Sequence, residues 1–118
     1  MIIRRRWEFE CYLMADVFPE FTPYSMNGTI GFYGKLRGPR TGGIYDVTIQ
    51  ASVAQYPHVS PAVYITPRPE HHHWVPDGKG GGKLCVQRTW IPAKSTFANT
   101  LLVAAKYIAE FDGRGNAL

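Results

Sequence analysis

The chain has 118 residues, 45% of them hydrophobic and 19% charged, which is enough for the core of one domain and excludes the disordered class. Its 14% aromatics, 12 glycines and 9 prolines favour strands, turns and loops over a helical bundle. The net charge of +4 is scattered rather than gathered into a dense stripe among aromatics, so we expect no nucleic-acid partner.

Prolines interrupt the longest nearly uncharged run, residues 45–68, so we expect no membrane span and no membrane partner. The two cysteines, Cys11 and Cys85, form no disulfide framework, although one bridge is arithmetically possible. Two reduced thiols are typical of a cytoplasmic protein, which is the localisation we expect.

Residues 3–18 carry apolar side chains at helical spacing and predict an amphipathic helix that ends ahead of the next proline. Cys11 lies on its apolar face, where a small core residue is the expected role. The run Arg4-Arg5-Arg6 falls in the first turn, where positive charge opposes the helix dipole. Either a solvated basic face or a partner-docking face accounts for this run.

Alternating apolar residues predict three strands, over residues 24–36, 44–53 and 62–66, joined as an antiparallel meander. Residues 67–92 are rich in proline and glycine and predict a long irregular segment, which is usually functional in a compact domain. Residues 97–111 have the spacing of a second helix. The pattern predicts the α+β class, and the expected core includes Val47, Ile49, Val63, Ile65, Leu101 and Ile108.

Several short motifs carry a family resemblance. They are, in chain order, Gly38-Pro39 with Thr41, Gly42-Gly43-Ile44-Tyr45, Tyr56-Pro57 with Pro61 and Val63, Leu84-Cys85-Val86, Trp90-Ile91-Pro92-Ala93 with Thr96, and Leu101-Leu102. In order and spacing, over residues 30–110, these motifs resemble the ubiquitin-conjugating enzymes. The compact chain is similar to the minimal conjugating enzymes of prokaryotic operons, which occur beside ubiquitin-like proteins or beside nucleotidyltransferases of antiphage signalling.

The resemblance implies a single ubiquitin-conjugating-enzyme-like domain over residues 1–118. Its fold has an N-terminal helix, a four-stranded antiparallel meander, a loop that carries the cysteine, and a long packing helix. The fourth strand is weak in this sequence, and we expect it near residues 64–67 or shortly after them. The implied activity is that of a transferase that needs no cofactor and carries a protein C-terminus as a thioester.

The resemblance also implies partners: an activating enzyme, a ubiquitin-like protein or nucleotidyltransferase whose C-terminus is the acyl donor, and a protein amine as acceptor. Because the family docks its activating enzyme and ligases through the first helix, Arg4, Arg5 and Arg6 form the expected partner surface.

Cys85 is the expected nucleophile. A thiolate attacks acyl groups readily, and the resulting thioester stays reactive enough for later attack by an amine. The glycine stretch before Cys85 has little side-chain bulk, so we expect Gly81 and Gly82 to contact the acyl chain. We expect Trp90 to shape the loop that follows Cys85. A buried structural thiol is the alternative for Cys85, and burial of the indole alone also explains Trp90.

The segment His71-His72-His73 stands where the family has a His-Pro-Asn tripeptide, whose Asn donates to the oxyanion. No Asn occurs between Asn27 and Asn99, so another donor is needed. His73 is the best candidate, ahead of the other two histidines, the backbone N–H groups of the glycine stretch and a bound water. The resemblance suggests that Asp77 orients the incoming lysine, although an exposed turn residue is the commoner role.

Two other functions remain open at this point. The first is a catalytically silent binding module of the same fold, which the missing Asn favours and the presence of Cys85 opposes. The second is a metal-dependent hydrolase built on the three histidines. Because adjacent histidines on an extended chain point in different directions, we expect no metal site.

Overall fold

A computed structural model describes residues 2–68, 74–76, 81–84 and 90–112, with side chains from residue 4 onward. Over these residues the chain forms two helices, α1 (Ile2–Val17) and α2 (Phe97–Phe111). Six strands lie between them: β1 (Thr22–Met26), β2 (Thr29–Arg37), β3 (Ile44–Ser52), β4 (Ala62–Thr66), β5 (Trp74–Pro76) and β6 (Gly82–Leu84). They pair as one antiparallel sheet in the order β1-β2-β3-β4-β6-β5, so the predicted α+β class is confirmed.

Both helices pack on the same face of the sheet. Phe32 of β2 lies opposite Ile49 of β3, and its ring centroid lies 4.9 Å from that of Trp7 on α1 and 5.4 Å from that of Phe97 on α2. All six residues expected in the core are buried: Val47, Ile49, Val63, Ile65, Leu101 and Ile108. The period-two pattern of the strands and the helical spacing of α2 therefore point to one shared core.

The prediction of one strand over residues 24–36 is wrong. The chain forms a hairpin there, in which β1 pairs with β2 around Asn27 and Gly28. These two residues have φ values of 52° and 77°, as a two-residue turn of the mirror-image type requires. The meander is thus completed at its beginning by β1. Of the two places expected for a fourth strand, residues 64–66 belong to β4, and the stretch that follows contains the short strands β5 and β6.

The prediction that residues 67–92 are wholly irregular is also wrong. β6 pairs with β4, where Gly82 lies opposite Ile65, and β5 pairs with β6, where Trp74 lies opposite Leu84. The sheet therefore has two short strands beyond the expected meander.

The helix ends follow local chemistry. α1 ends at Val17, ahead of Pro19, as the spacing predicted. At the start of α2, Thr96 is the N-cap: its hydroxyl accepts from the N–H of Asn99, whose side chain accepts in turn from the N–H of Thr96. In the part of the chain that the structure describes, neither helix is long and apolar enough to cross a membrane.

Candidate functional site

The predicted nucleophile Cys85 lies outside the described residues, as do His71, His72, His73 and Asp77. The described residues on both sides form a frame around this part of the chain. Leu84, the last residue of β6, directly precedes Cys85 in the sequence, and Trp90 follows it after residues 86–89. Leu84 and Trp90 are therefore the described residues nearest in the sequence to Cys85 on its two sides.

On the near side, β6 is held between β4 and β5. Gly81 and Gly82 are buried, and a Cβ atom at position 82 would lie 2.5 Å from Cγ of Arg68. Nη1 of Arg68 donates a hydrogen bond of 3.2 Å to the carbonyl oxygen of Trp74 in β5. Packing of the Arg68 stem thus explains the glycine at position 82, and the expected contact of Gly81 and Gly82 with an acyl chain stays a prediction.

On the far side, Trp90 is anchored by its indole. Nε1 of Trp90 donates a 2.6 Å hydrogen bond to the carbonyl oxygen of Pro57, and the rings of Trp90 and Tyr56 lie 5.8 Å apart. The side chain is half-buried and packs against the core. Trp90 therefore fixes the segment beyond the candidate cysteine to the turn that follows β3.

A buried ion pair lies behind this far-side segment. The carboxylate of Glu10 is fully buried and accepts a 2.9 Å hydrogen bond from Nε of Arg6, whose side chain is 18% exposed. The hydroxyl of Tyr56 donates to the same carboxylate oxygen. The other oxygen accepts a 3.0 Å hydrogen bond from the backbone N–H of Phe97. We call Arg6, Glu10 and Tyr56 the Glu10 cluster.

The guanidinium of Arg6 extends the Glu10 cluster into the segment after Trp90. Nη1 donates to the carbonyl oxygen of Pro92 over 2.7 Å, and Nη2 donates to that of Ser95 over 2.5 Å. A lysine could not serve these acceptors and Glu10 together, because its ammonium lacks the planar fork of an arginine.

Electrostatics favour a charged Arg6 and a neutral Tyr56. Burial opposes the charge on Arg6, but the hydrogen bond to Glu10 and the attraction of Tyr56 and Glu10 outweigh it and raise the pKa of Arg6. Burial, followed by the hydrogen bond to Glu10, also raises the pKa of Tyr56, which stays a neutral donor.

The three predicted partner-binding arginines have different surroundings. Arg4 and Arg5 are exposed, and Arg4 makes a 3.9 Å ion pair with Glu8, between side chains 85% and 66% exposed. Arg6 instead turns inward to the Glu10 cluster. Binding of a partner by these arginines stays a prediction, for which the exposed part of the run is Arg4 and Arg5.

A second buried carboxylate, that of Asp112, holds the loop between β2 and β3 against the end of α2. It accepts from the N–H of Arg40 at 2.9 Å, from the N–H and hydroxyl of Thr41 at 2.8 Å each, and from the hydroxyl of Tyr45 at 2.6 Å. Burial acts to raise the pKa of Asp112, but these hydrogen bonds outweigh it and hold the pKa below its ordinary value. Burial and the bond to Asp112 raise the pKa of Tyr45 to about 12. We call Asp112, Thr41 and Tyr45 the Asp112 cluster.

Sequence reasoning missed both buried acids. The signal for Glu10 was present, because it lies three residues after Trp7 and four before Met14, on the apolar face of α1. An acid in that position predicts either a buried partner or a functional group.

Cys11 has the expected role of a small residue packed beside the core. It is a half-buried free thiol, and burial, then the charges of Glu10 and Glu8, raise its pKa. A raised pKa disfavours the thiolate, so Cys11 is a poor nucleophile.

The opposite face of the sheet carries an open cavity of about 330 Å³. Its lining is mainly polar and includes Gln50, Tyr64 and Lys83, the last of which places its ammonium 5.9 Å from the centre of the Tyr64 ring. None of its described lining residues is a His, Cys, Asp or Glu, so Tyr64 and Lys83 are the side chains among them that belong to the general acid–base types.

Within the described ranges no three His, Cys, Asp or Glu side chains converge on a possible metal site. The candidate histidines and Cys85 fall outside those ranges. Comparisons with protein-family models, with curated proteins and with solved structures found no match.

Proposed function

We propose that this chain is a ubiquitin-conjugating-like acyl-carrier transferase. It holds the C-terminus of a ubiquitin-like or other protein as a thioester on Cys85 and passes it to an amine. The proposal places the protein in the cytoplasm, beside an activating enzyme and an acyl-donor protein, in an operon setting such as bacterial antiphage defence.

One observation carries the proposal: the order of elements around the cysteine. An N-terminal helix, a four-stranded antiparallel meander, the segment that contains Cys85, and a packing helix follow one another as the resemblance implies. The motif residues also have matching structural roles, since Trp90 anchors the segment after the cysteine and Thr96 caps α2. This agreement supports the proposed fold family.

The chemistry needs few groups. The Cys85 thiolate attacks the carbonyl carbon of the donor thioester, a new C–S bond forms, and the donor thiol leaves as a thiolate. An amine then attacks the carrier thioester, Cys85 leaves as a thiolate, and the amine releases a proton to water. Each step passes through a tetrahedral oxyanion, for which His73 is the proposed donor and Asp77 the proposed group that orients the amine. Gly81, Gly82 and Trp90 are the proposed acyl-chain contacts.

A synthetic peptidyl thioester tests the proposal without knowledge of the natural donor. The purified chain should gain the mass of the peptidyl group and lose it on addition of dithiothreitol. Cys11→Ala should retain the adduct and Cys85→Ala should not. A thiol-insensitive adduct, or one that persists in Cys85→Ala, would rule out the proposed carrier.

The missing Asn favours one second candidate, a silent binding module of the same fold. Such a module would bind a protein partner with Cys85 intact but form no thioester. Equal binding of an isolated protein donor by the parent and by Cys85→Ala, with no adduct on either, would select this alternative.

A further inference from the structure

The segment that leads away from Cys85 is fastened to the rest of the fold at four points. Trp90 donates to Pro57, Pro92 and Ser95 accept from Arg6, and Phe97 donates to Glu10. The last three points all belong to the Glu10 cluster. The position of residues 92–97 therefore depends on two side chains of α1.

The candidate cysteine is close to this fastening along the chain. Leu84 is fixed by its pairing with Trp74 in β5, and residues 85–89 alone connect it to Trp90. Because the chain is covalently continuous, a shift of Trp90 changes the distance that this five-residue link must span, and Cys85 is the first residue of the link.

An ion pair is a poor way to gain stability alone, because the desolvation of two charges opposes their attraction. Its geometry is nevertheless specific. Arg6 donates four hydrogen bonds, to Glu10, Tyr56, Pro92 and Ser95. Glu10 joins α1 to the first N–H of α2. Such a network fixes one arrangement of the parts that it joins.

We infer that Arg6 and Glu10, with Tyr56, are positioning residues that set the reactivity of Cys85 through the 90–97 segment. This inference rests on the proposed role of Cys85. It predicts that removal of a hydrogen bond from the Glu10 cluster changes the reactivity of Cys85 more than removal of a similar hydrogen bond elsewhere does.

The chain contains a matched control. Tyr56 and Tyr45 are both buried, and each donates its hydroxyl to a fully buried carboxylate, Glu10 or Asp112. Tyr56→Phe removes a donor from the Glu10 cluster. Tyr45→Phe removes a donor from the Asp112 cluster, whose described hydrogen bonds run to Arg40, Thr41 and Tyr45, in β3 and the loop before it.

The experiment uses the full chain in a Cys11→Ala background, so that iodoacetamide reports Cys85 alone. The alkylation rate constant is measured across pH by intact mass, beside thermal unfolding of each variant. Tyr56→Phe should change the limiting rate constant by about tenfold, equivalent to about 1.4 kcal/mol, and Tyr45→Phe should leave it within about twofold. Arg6→Lys, which keeps the charge but not the fork, should act like Tyr56→Phe.

Equal changes in the two tyrosine variants, or no change in Tyr56→Phe and Arg6→Lys, would overturn the inference. Transfer from the peptidyl thioester separates it from the proposed function. If the parent chain accepts no acyl group but Tyr56→Phe still changes the alkylation rate constant, the inference stands and the proposed carrier function is wrong. If the parent chain accepts the acyl group and Tyr56→Phe leaves the alkylation rate constant unchanged, the proposed carrier function stands and the inference is wrong.

Discussion

The carboxylate of Glu10 accepts a 3.0 Å hydrogen bond from the backbone N–H of Phe97, the first residue of α2. The first N–H groups of a helix have no partner within it, and a negative charge is favoured at that end. One acid on α1 thus satisfies a donor of α2 while it pairs with Arg6. The contact joins residues 87 positions apart.

Replacement of Glu10 by Gln should destabilise the fold by about 3 kcal/mol, because it leaves Arg6 half-buried without its anionic partner. Urea unfolding measures the free energy of unfolding. Glu8→Gln is the control: Glu8 pairs with Arg4 at an exposed position, so this substitution should cost less than about 0.5 kcal/mol. Similar losses in the two variants would contradict a special role for the buried pair.

The Asp112 cluster predicts a dependence of stability on acid. Because the pKa of Asp112 is lower in the folded chain than in the unfolded one, its contribution is present above the ordinary aspartate pKa of about 3.9 and is lost as pH falls through the lower folded value. The free energy of unfolding, measured by urea titration at a series of acidic pH values, should fall over this window.

Asp112→Asn should remove most of that acid slope. Asp46→Asn deletes one negative charge at an exposed position and serves as the control. An unchanged slope in Asp112→Asn, or the same reduction in Asp46→Asn, would refute the assignment of the slope to the Asp112 cluster.

The sequence predicts much of the fold because its core signals are local. Val47 and Ile49 alternate along one strand, and Leu101 and Ile108 recur at helical spacing, so each face is visible within a short window. The hairpin between β1 and β2 was missed because the apolar alternation continues through Asn27-Gly28, although that dipeptide is itself a hairpin signal.

Other features depend on distant partners or on very short elements. β5 and β6 have three residues each, too few for periodicity to distinguish a strand from a loop. The donors to Asp112 stand 67 to 72 positions away, so no local pattern marks this acid as buried. Glu10 is intermediate: its place on the helix face was visible, but its partners at Tyr56 and Phe97 were not.

Two adjacent leucines test the packing of α2. Leu101 is fully buried and Leu102 is 50% exposed. The same substitution therefore removes core packing at position 101 and mainly solvent-exposed atoms at position 102. Leu101→Ala should cost about 2–5 kcal/mol of unfolding free energy through lost burial and a residual cavity. Leu102→Ala should cost much less, and a ranking in the reverse order in urea unfolding would contradict the orientation of α2.

If Arg4 and Arg5 dock the proposed activating enzyme, the rate of thioester loading should depend on salt. Arg4→Glu with Arg5→Glu should slow thioester loading of Cys85 by about tenfold at low ionic strength, because attraction becomes repulsion. Added salt should reduce the difference by screening. The control, Lys35→Glu with Lys106→Glu, makes the same charge change at two other exposed residues. Equal slowing in both double variants would indicate a general charge effect rather than a docking surface.

His73 is the proposed oxyanion donor, in place of the Asn of the ubiquitin-conjugating enzymes that the sequence resembles. Thiol-to-thiol transfer demands less of an oxyanion donor than attack by an amine does, because a thiolate leaves readily. His73→Ala should therefore reduce single-turnover discharge of the Cys85 thioester to free lysine by about 10²-fold and reduce loading less. Cys85→Ser should trap a more stable oxyester and Cys11→Ala should discharge normally. If His71→Ala, His72→Ala and His73→Ala all discharge at the parent rate, the histidines are not catalytic, and the donor is to be sought in the backbone N–H groups of residues 80–82.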